Sequence, residues 1–414
     1  MKKQAAIIVL FVILGIITSC SKNKNEDTRK VAVPIELSQH QKDLVVSNNE
    51  FGFDIFKTIS STEADANNLF ISPLSISLAL AMTYNGANGN TKTEMQNTLK
   101  FPSLTTDEIN GYFQKLSSAL LSVDSKVNLG IANSIWYRNE FSVLPAFIQV
   151  NKDYYNAEVK SLDFSSPLAV STINNWVSDK TNKKIPKVID EISSDIVMFL
   201  INAIYFKGSW SQEFDKDGTH NLNFYPSNLS SFVTPMMHQK GSFNYLSNDK
   251  FSALEMPYGQ GNFTMDVLLP NQGFTTNDIV SSLNSENWNA WMNAFGKQTV
   301  DITFPRFKFE YERTLNNDLI GLGMPKAFST LEADFTNINP AVNLYISFVK
   351  HNSFVEVNET GTEAAAVTVV GVGATSAGPD PVVITFNANK PFIFAIRETT
   401  TNTILFIGRV SNPI

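Results

Sequence analysis

The sequence predicts an α+β domain. Helical spacing and caps crowd residues 38–99, and strand-length runs of β-branched and aromatic residues dominate from about residue 129 onward. A third observation joins these two: no internal repeat, interdomain linker or alternating βαβ pattern divides the chain, so residues 37–414 are expected to form one domain. With 414 residues, 43% hydrophobic and 17% charged, there is ample material for a large core.

The first segment in chain order stands outside that fold. Lys2 and Lys3 precede an uncharged apolar run from Ala5 to Ile17, too short for a comfortable membrane span but suited to the core of a secretory signal. The run ends in Ile17-Thr18-Ser19-Cys20, which resembles the bacterial lipobox. Residues 1–19 are therefore expected to be removed and Cys20 to carry a lipid, anchoring an exported chain to a bacterial membrane, the outer membrane first, facing periplasm or surface. Cys20 is the one cysteine, which excludes disulfides within the chain and CxxC metal sites. Ser21 to Val33 is polar and charged, and residues 20–36 are expected to be a flexible tether.

Phe51, Ile55 and Ile59 recur every four positions, the spacing of one helix face, and predict a first helix from near Ser38. Ser72-Pro73 offers an N-cap hydroxyl followed by a proline whose missing N–H costs nothing there. Leu74 to Met82 is apolar almost all round and predicts a buried second helix, with Gly86 as its stop. Thr91-Lys92-Thr93-Glu94 fits a capping box for a third helix carrying Met95 and Leu99. Beyond it, Asn174 to Ile185 is the one further clear helical stretch. Leu200 to Phe206 and Phe263 to Leu269 are strand-like. Val300, Ile302 and Phe304 alternate, then the pattern restarts out of phase at Phe307, Phe309 and Tyr311, so Pro305 predicts a bulge or edge position. Pro391 to Ile396 and Thr403 to Val410 predict a closing hairpin around Thr399 to Asn402.

A search for enzyme chemistry finds little. The four histidines, at positions 40, 220, 238 and 351, form no HExxH or HxH pattern, no GxSxG elbow surrounds a serine, and the sole cysteine is assigned to the anchor. No metal or cofactor is expected. A net charge of -7 without clustered Lys and Arg argues against nucleic acid as a partner.

The stretch Glu359 to Gly378, ETGTEAAAVTVVGVGATSAG, is different. From Ala364 to Gly378 it holds no charge, proline or aromatic residue, yet its glycines and the following Pro379-Asp380-Pro381 suggest an exposed segment between strands ending near Val357 and starting near Val382. Both features are satisfied if the segment can also enter a sheet. One face would then carry Thr362, Ala364, Ala366, Thr368, Val370, Val372 and Ala374, all small enough for a packed interior, and every backbone N–H would be free to pair. About fifteen residues at ~3.3 Å each would carry whatever is attached to the far end roughly 50 Å.

Several long motifs in one order now identify a family resemblance. NLFISPLSISLALAMTYNGANGNTKTEM from Asn68, NNWVSDKTNKKI from Asn174, FLINAIYFKGSW from Phe199, VNETGTEAAA from Val357, NKPFIFAIRE from Asn389 and FIGRV from Phe406 resemble the serpins over essentially the whole folded length. The resemblance implies a serpin fold: a large, mostly antiparallel central sheet, two further sheets, eight or nine helices and an exposed reactive centre loop, here residues 359–381. It implies a monomer that acts as an irreversible suicide-type inhibitor of serine, and also cysteine, endopeptidases rather than as an enzyme. The protease attacks the loop, and the cleaved loop inserts before the acyl-enzyme is released.

Residue by residue, the resemblance places the hinge at Glu359, Gly361, Thr362, Glu363, Ala364, Ala365 and Ala366. It places a polar shutter at Ser72, Ser75, Asn202 and His351, and a breach, where insertion begins, at Trp210. The fourteenth residue beyond the hinge glycine is Thr375, so the attacked bond is expected at Thr375-Ser376, with Val372-Gly373 and Ala374-Thr375 as alternatives. These side chains are small and uncharged, which favours an elastase-like or subtilisin-like target. The competing expectations are a non-inhibitory carrier of the same fold and a lipoprotein whose loop is merely cleaved.

Overall fold

In the computed structural model, which describes residues 32–227, 230–362 and 382–414, the first helix begins where its cap dictates. The Ser38 hydroxyl accepts from the Gln41 N–H, the Gln41 side chain accepts from the Ser38 N–H, and α1 (Gln39–Thr62) turns Phe51, Ile55 and Ile59 fully inward. After β1 (Leu69–Ile71) comes α2 (Pro73–Tyr84), capped by Ser72 and buried on almost every face, as its composition requires.

Gly86 follows α2, but it does not stop the helix by adopting a left-handed conformation. It is needed for space, because a Cβ there would stand 2.3 Å from Ile338. The capping box expected at Thr91 does not form. α3 (Gly89–Thr98) starts two residues earlier, and Thr91 and Glu94 serve other elements: the Thr91 hydroxyl accepts from the Asp334 N–H at 2.9 Å, and Glu94 accepts from the Lys326 backbone and side chain.

The chain continues through α4 (Thr106–Leu120), β2 (Val127–Arg138), α5 (Pro145–Tyr155) and β3 (Glu158–Leu162). The helix expected over Asn174 to Ile185 is α6 (Ala169–Lys180), which ends earlier because Asn182 and Lys183 turn left-handed at φ 51° and 65°. Then follow β4 (Met198–Ser209), β5 (His220–Phe224), β6 (Phe232–Ser247), β7 (Phe251–Tyr258), β8 (Phe263–Pro270), α7 (Thr276–Ser281) and α8 (Ser285–Ala294). The last elements are β9 (Gly296–Pro305), β10 (Phe307–Thr314), α9 (Asn316–Gly321), β11 (Lys350–Asn358), β12 (Gly361–Thr362), β13 (Val383–Asn387), β14 (Phe392–Glu398) and β15 (Ile404–Val410). Nine α-helices thus stand among the described residues.

Two sheets organise them. One has six strands in the order β10-β11-β12-β4-β2-β3, antiparallel except for the last pair. The other has nine, β1-β15-β14-β8-β7-β6-β9-β13 with β5 on β6, so the two smaller sheets expected of the fold run into one another through the 16-residue β6. Pro305 marks no bulge; it ends β9 beyond the reach of β13, whose pairing stops at Thr303, so only β6 flanks it, the edge position expected of a proline. The phase break is the crossing from β9 in the larger sheet to β10 in the smaller one. Between the sheets Phe70 of β1 lies flat against Phe406 and Phe394, at 5.0 and 5.5 Å between ring centres, and meets Phe309 edge-on. Phe70, Phe394 and Phe406 are buried, and each such ring contributes about 2–3 kcal/mol, whereas Phe309 is half-buried.

Residues 33–36, the end of the expected tether, are docked rather than free. The Val33 N–H donates to the Asn262 side chain, which donates back to the Val33 carbonyl, and the Ile35 N–H donates to the Thr400 hydroxyl. The signal segment, Cys20, and the remainder of the tether up to residue 31 lie outside the described residues.

Candidate functional site

Strands β4 and β11 run parallel to each other in the six-stranded sheet, and only β12 lies between them. Thr362 pairs with Val357 on one side and Gly208 on the other, and Gly361 with Asn358 and Ser209. Below Thr362 no ladder joins β4 to β11 among the described residues. Among the described residues a seam therefore runs down the sheet, and a 270 Å³ cavity under its lower half is lined by Leu200, Asn202, Leu344, Ile346, Phe348 and His351.

The entry to the seam is tightly built. Gly361 has φ 146°, and a Cβ on it would stand 2.1 Å from the Gly208 carbonyl oxygen, so glycine alone fits. Trp210, buried, stacks on Tyr258 with ring centres 4.4 Å apart. Its indole N–H donates to the Asn358 carbonyl at 3.0 Å and its backbone N–H to the Thr360 carbonyl at 2.9 Å. Tyr258 in turn meets the Thr362 hydroxyl at 2.6 Å; burial pushes its phenol up, so it stays protonated.

Glu359 is 3% exposed and sits in a latch. The Thr219 hydroxyl donates to its Oε1 at 2.5 Å, and the Arg306 Nε donates to the same oxygen at 2.6 Å. Burial alone would raise this carboxyl, but the hydrogen bonds from Arg306 and Thr219 outweigh it and hold Glu359 below its usual range, as an anion.

Midway down the seam lies a polar cluster. The Ser72 hydroxyl donates to the Leu405 carbonyl at 2.6 Å and accepts from the Ser75 N–H at 3.1 Å, while the Ser72 N–H donates to Nε2 of His351 at 3.2 Å. That bond requires a lone pair on Nε2, hence a neutral ring protonated at Nδ1. Burial agrees, lowering the pKa of His351 to about 4. Asn202 faces the same region from β4, but it donates to the Asn133 side chain at 2.8 Å rather than to His351, and its own carbonyl oxygen is buried without a partner.

The structure therefore gathers Glu359, Gly361, Thr362 and Trp210 at the top of the seam and Ser72, Ser75 and His351 beneath it, with Asn202 opposite. Glu363, Ala364, Ala365, Ala366 and the residues expected at the attacked bond, Val372, Gly373, Ala374, Thr375 and Ser376, lie outside the described residues. Sequence reading missed Thr219, Tyr258 and Arg306. They belong to elements far from the loop in sequence, and no local spacing announces them. Among the described residues no group of His, Cys, Asp and Glu could hold a metal ion.

Comparison with known proteins now fixes the class. The profile of the family described as Serpin (serine protease inhibitor) matches residues 46–413. The leukocyte elastase inhibitor of Homo sapiens is 35% identical over 89% of this chain and 98% of its own length. Tengpin, a thermophilic serpin crystallised in its native state, superimposes with a TM-score of 0.82 and 33% identity, covering 92% of this chain and 97% of tengpin. Human thyroxine-binding globulin, crystallised with thyroxine, gives a TM-score of 0.82 at 29% identity, covering 90% of this chain and 99% of its own. This chain belongs to the serpin family and has the serpin fold.

Proposed function

We propose that this serpin is a suicide inhibitor of serine endopeptidases, and also of cysteine endopeptidases, that traps the acyl-enzyme by drawing its cleaved loop into the seam between β4 and β11. The observation that carries this reading is β12: two residues are already seated as a strand in that seam, and among the described residues no strand continues their register. Extended downward in the same register, Ala364 would stand opposite Phe206 and Val355, Ala366 opposite Ile204 and Ser353, and Thr368 opposite Asn202 and His351. The inward face would then meet aromatic and aliphatic side chains with alanines. It would meet the unpartnered Asn202 oxygen with a hydroxyl. No charged or bulky residue of the segment would enter the interior.

The small residues around Thr375-Ser376, Val372-Gly373 and Ala374-Thr375 favour a protease with a shallow apolar primary pocket, elastase-like or subtilisin-like. The inhibitor acts as a monomer, exported and held by the lipid on Cys20 at a bacterial membrane. Mixing the purified protein with an elastase tests the mechanism: a denaturant-resistant covalent complex is expected, and mass spectrometry of the trapped loop fixes the attacked bond. Cleaved loop without complex would reject trapping.

The likeness to a hormone-binding serpin crystallised with its ligand favours one alternative, a non-inhibitory carrier. A carrier would leave the elastase active and form no complex.

A further inference from the structure

Beside the latch, where β10 begins and β11 ends, lies a second, open cleft of 570 Å³. Lys216, Arg306 and Lys308 line it with the carboxylates of Glu356 and Glu359 and the apolar Pro235, Phe307 and Pro413, three cations against two anions. Two of these cations are paired, Arg306 with Glu359 and Lys308 with Glu356, but neither to its full capacity. Lys216 makes no ion pair among the described residues, and Lys308 is 62% exposed with its nearest carboxylate, Glu356, at 3.6 Å. Arg306 binds Glu359 through Nε and Nη2, which leaves Nη1 of its guanidinium fork for another acceptor. Thr234 also lines the cleft. It is 1% exposed, and its hydroxyl is buried without a hydrogen-bond partner, an arrangement that is unfavourable unless something completes it.

We infer that this cleft binds a small organic anion: a carboxylate or sulfate head held by Lys216, Lys308 and the free edge of Arg306, on an apolar body resting against Phe307, Pro235 and Pro413. The cationic groups supply the charge-assisted bonds an oxyanion needs, and an orphan hydroxyl supplies one more donor. The apolar part of the wall distinguishes the ligand from an inorganic ion, and three cations, one already shared with Glu359, are too few for a polyanion whose binding rests on many phosphate contacts. Arg306 serves both cleft and latch, so occupancy competes with Glu359 for one guanidinium. That coupling to the loop rests on the trapping reading, whereas the binding itself does not.

Isothermal titration of the full chain, without protease, tests the site with three probes: 4-phenylbutyrate for head and body, 4-phenylbutanol for body alone, and sodium sulfate for head alone. The expected result is saturable binding of phenylbutyrate with a dissociation constant at or below about 1 mM, at least about tenfold tighter than either other probe. The double variant Lys216→Gln/Lys308→Gln should lose at least about tenfold of that affinity while unfolding at the wild-type temperature. Thr234→Val should weaken binding without loss of stability, because the hydroxyl it removes has no partner in the free protein. Absence of phenylbutyrate binding, equal binding of the alcohol, or binding that the double variant retains would overturn the inference. A failure to trap elastase would leave these titrations unaffected.

Discussion

Thr362 is the first side chain that an entering strand carries inward, and in the resting protein it is already there, 4% exposed and bonded to Tyr258. Thr362→Arg would place a charge in that pocket without a partner, at a cost of several kcal/mol. Inhibition is expected to give way to simple loop cleavage, read as the disappearance of the denaturant-resistant complex while cleavage continues; a variant that still trapped at normal stoichiometry would contradict insertion.

His351 sets a pH dependence. Its pKa falls from 6.5 in the unfolded chain to about 4 in the folded one because burial excludes the charged ring. Between those values the unfolded state binds the extra proton, so stability is intact above about pH 6.5 and declines as the pH falls, by up to about 3 kcal/mol near pH 4. Denaturant unfolding at both ends of this window should show a shallower slope in His351→Asn than in wild type. At this scale the sequence told that His351 had no catalytic company, but not that its acceptor nitrogen faces the Ser72 N–H. A side chain's partners become visible only when distant segments are brought together, and the same holds for Arg306 on Glu359.

Among the elements, β12 is two residues long and still decides the architecture of the seam. Its seating depends on Gly361, whose added Cβ would collide with backbone rather than with a side chain able to move aside. Gly361→Ala is expected to unseat β12 at a cost of about 2 kcal/mol. Hydrogen exchange at the Gly361 and Thr362 amides reads the outcome; unchanged protection would mean the backbone can yield.

Elements with local signals were legible: α1 and α2 from caps and periodicity, β4, β8 and the closing hairpin from composition. The box Thr105–Glu108 that opens α4 was equally available and went unread, whereas the one read at Thr91 was a false positive because its hydroxyl is spent on Asp334. Pro305 shows the limit of local patterns: a shift of phase looks alike whether a strand bulges or the chain leaves for another sheet.

For the whole molecule, β4 and β11 share no ladder below Thr362 among the described residues, so pairing along them is left for a further strand. Completing the six-stranded sheet with a further strand would add hydrogen bonds along β4 and β11 and fill the space beneath them. The loop-cleaved protein is therefore expected to unfold at a much higher temperature than the intact one, as calorimetry on both forms would show; equal temperatures would argue against stored strain. The six motifs identify the family because they lie along the whole chain in one order, whereas the depth to which the loop enters its sheet has no counterpart in the sequence, since it depends on two strands nearly 150 positions apart.

The cavity under the seam has a consequence in molar volume. The cavity's 270 Å³ amounts to about 160 mL per mole of molecules, the upper limit of what strand insertion would remove and reached only where its apolar walls keep it dry. A process that shrinks the system is favoured by compression. Moderate hydrostatic pressure, below that which unfolds the chain, should therefore hasten the passage of the cleaved loop into the sheet, and a rate that falls with pressure would show that the void is not what the strand fills.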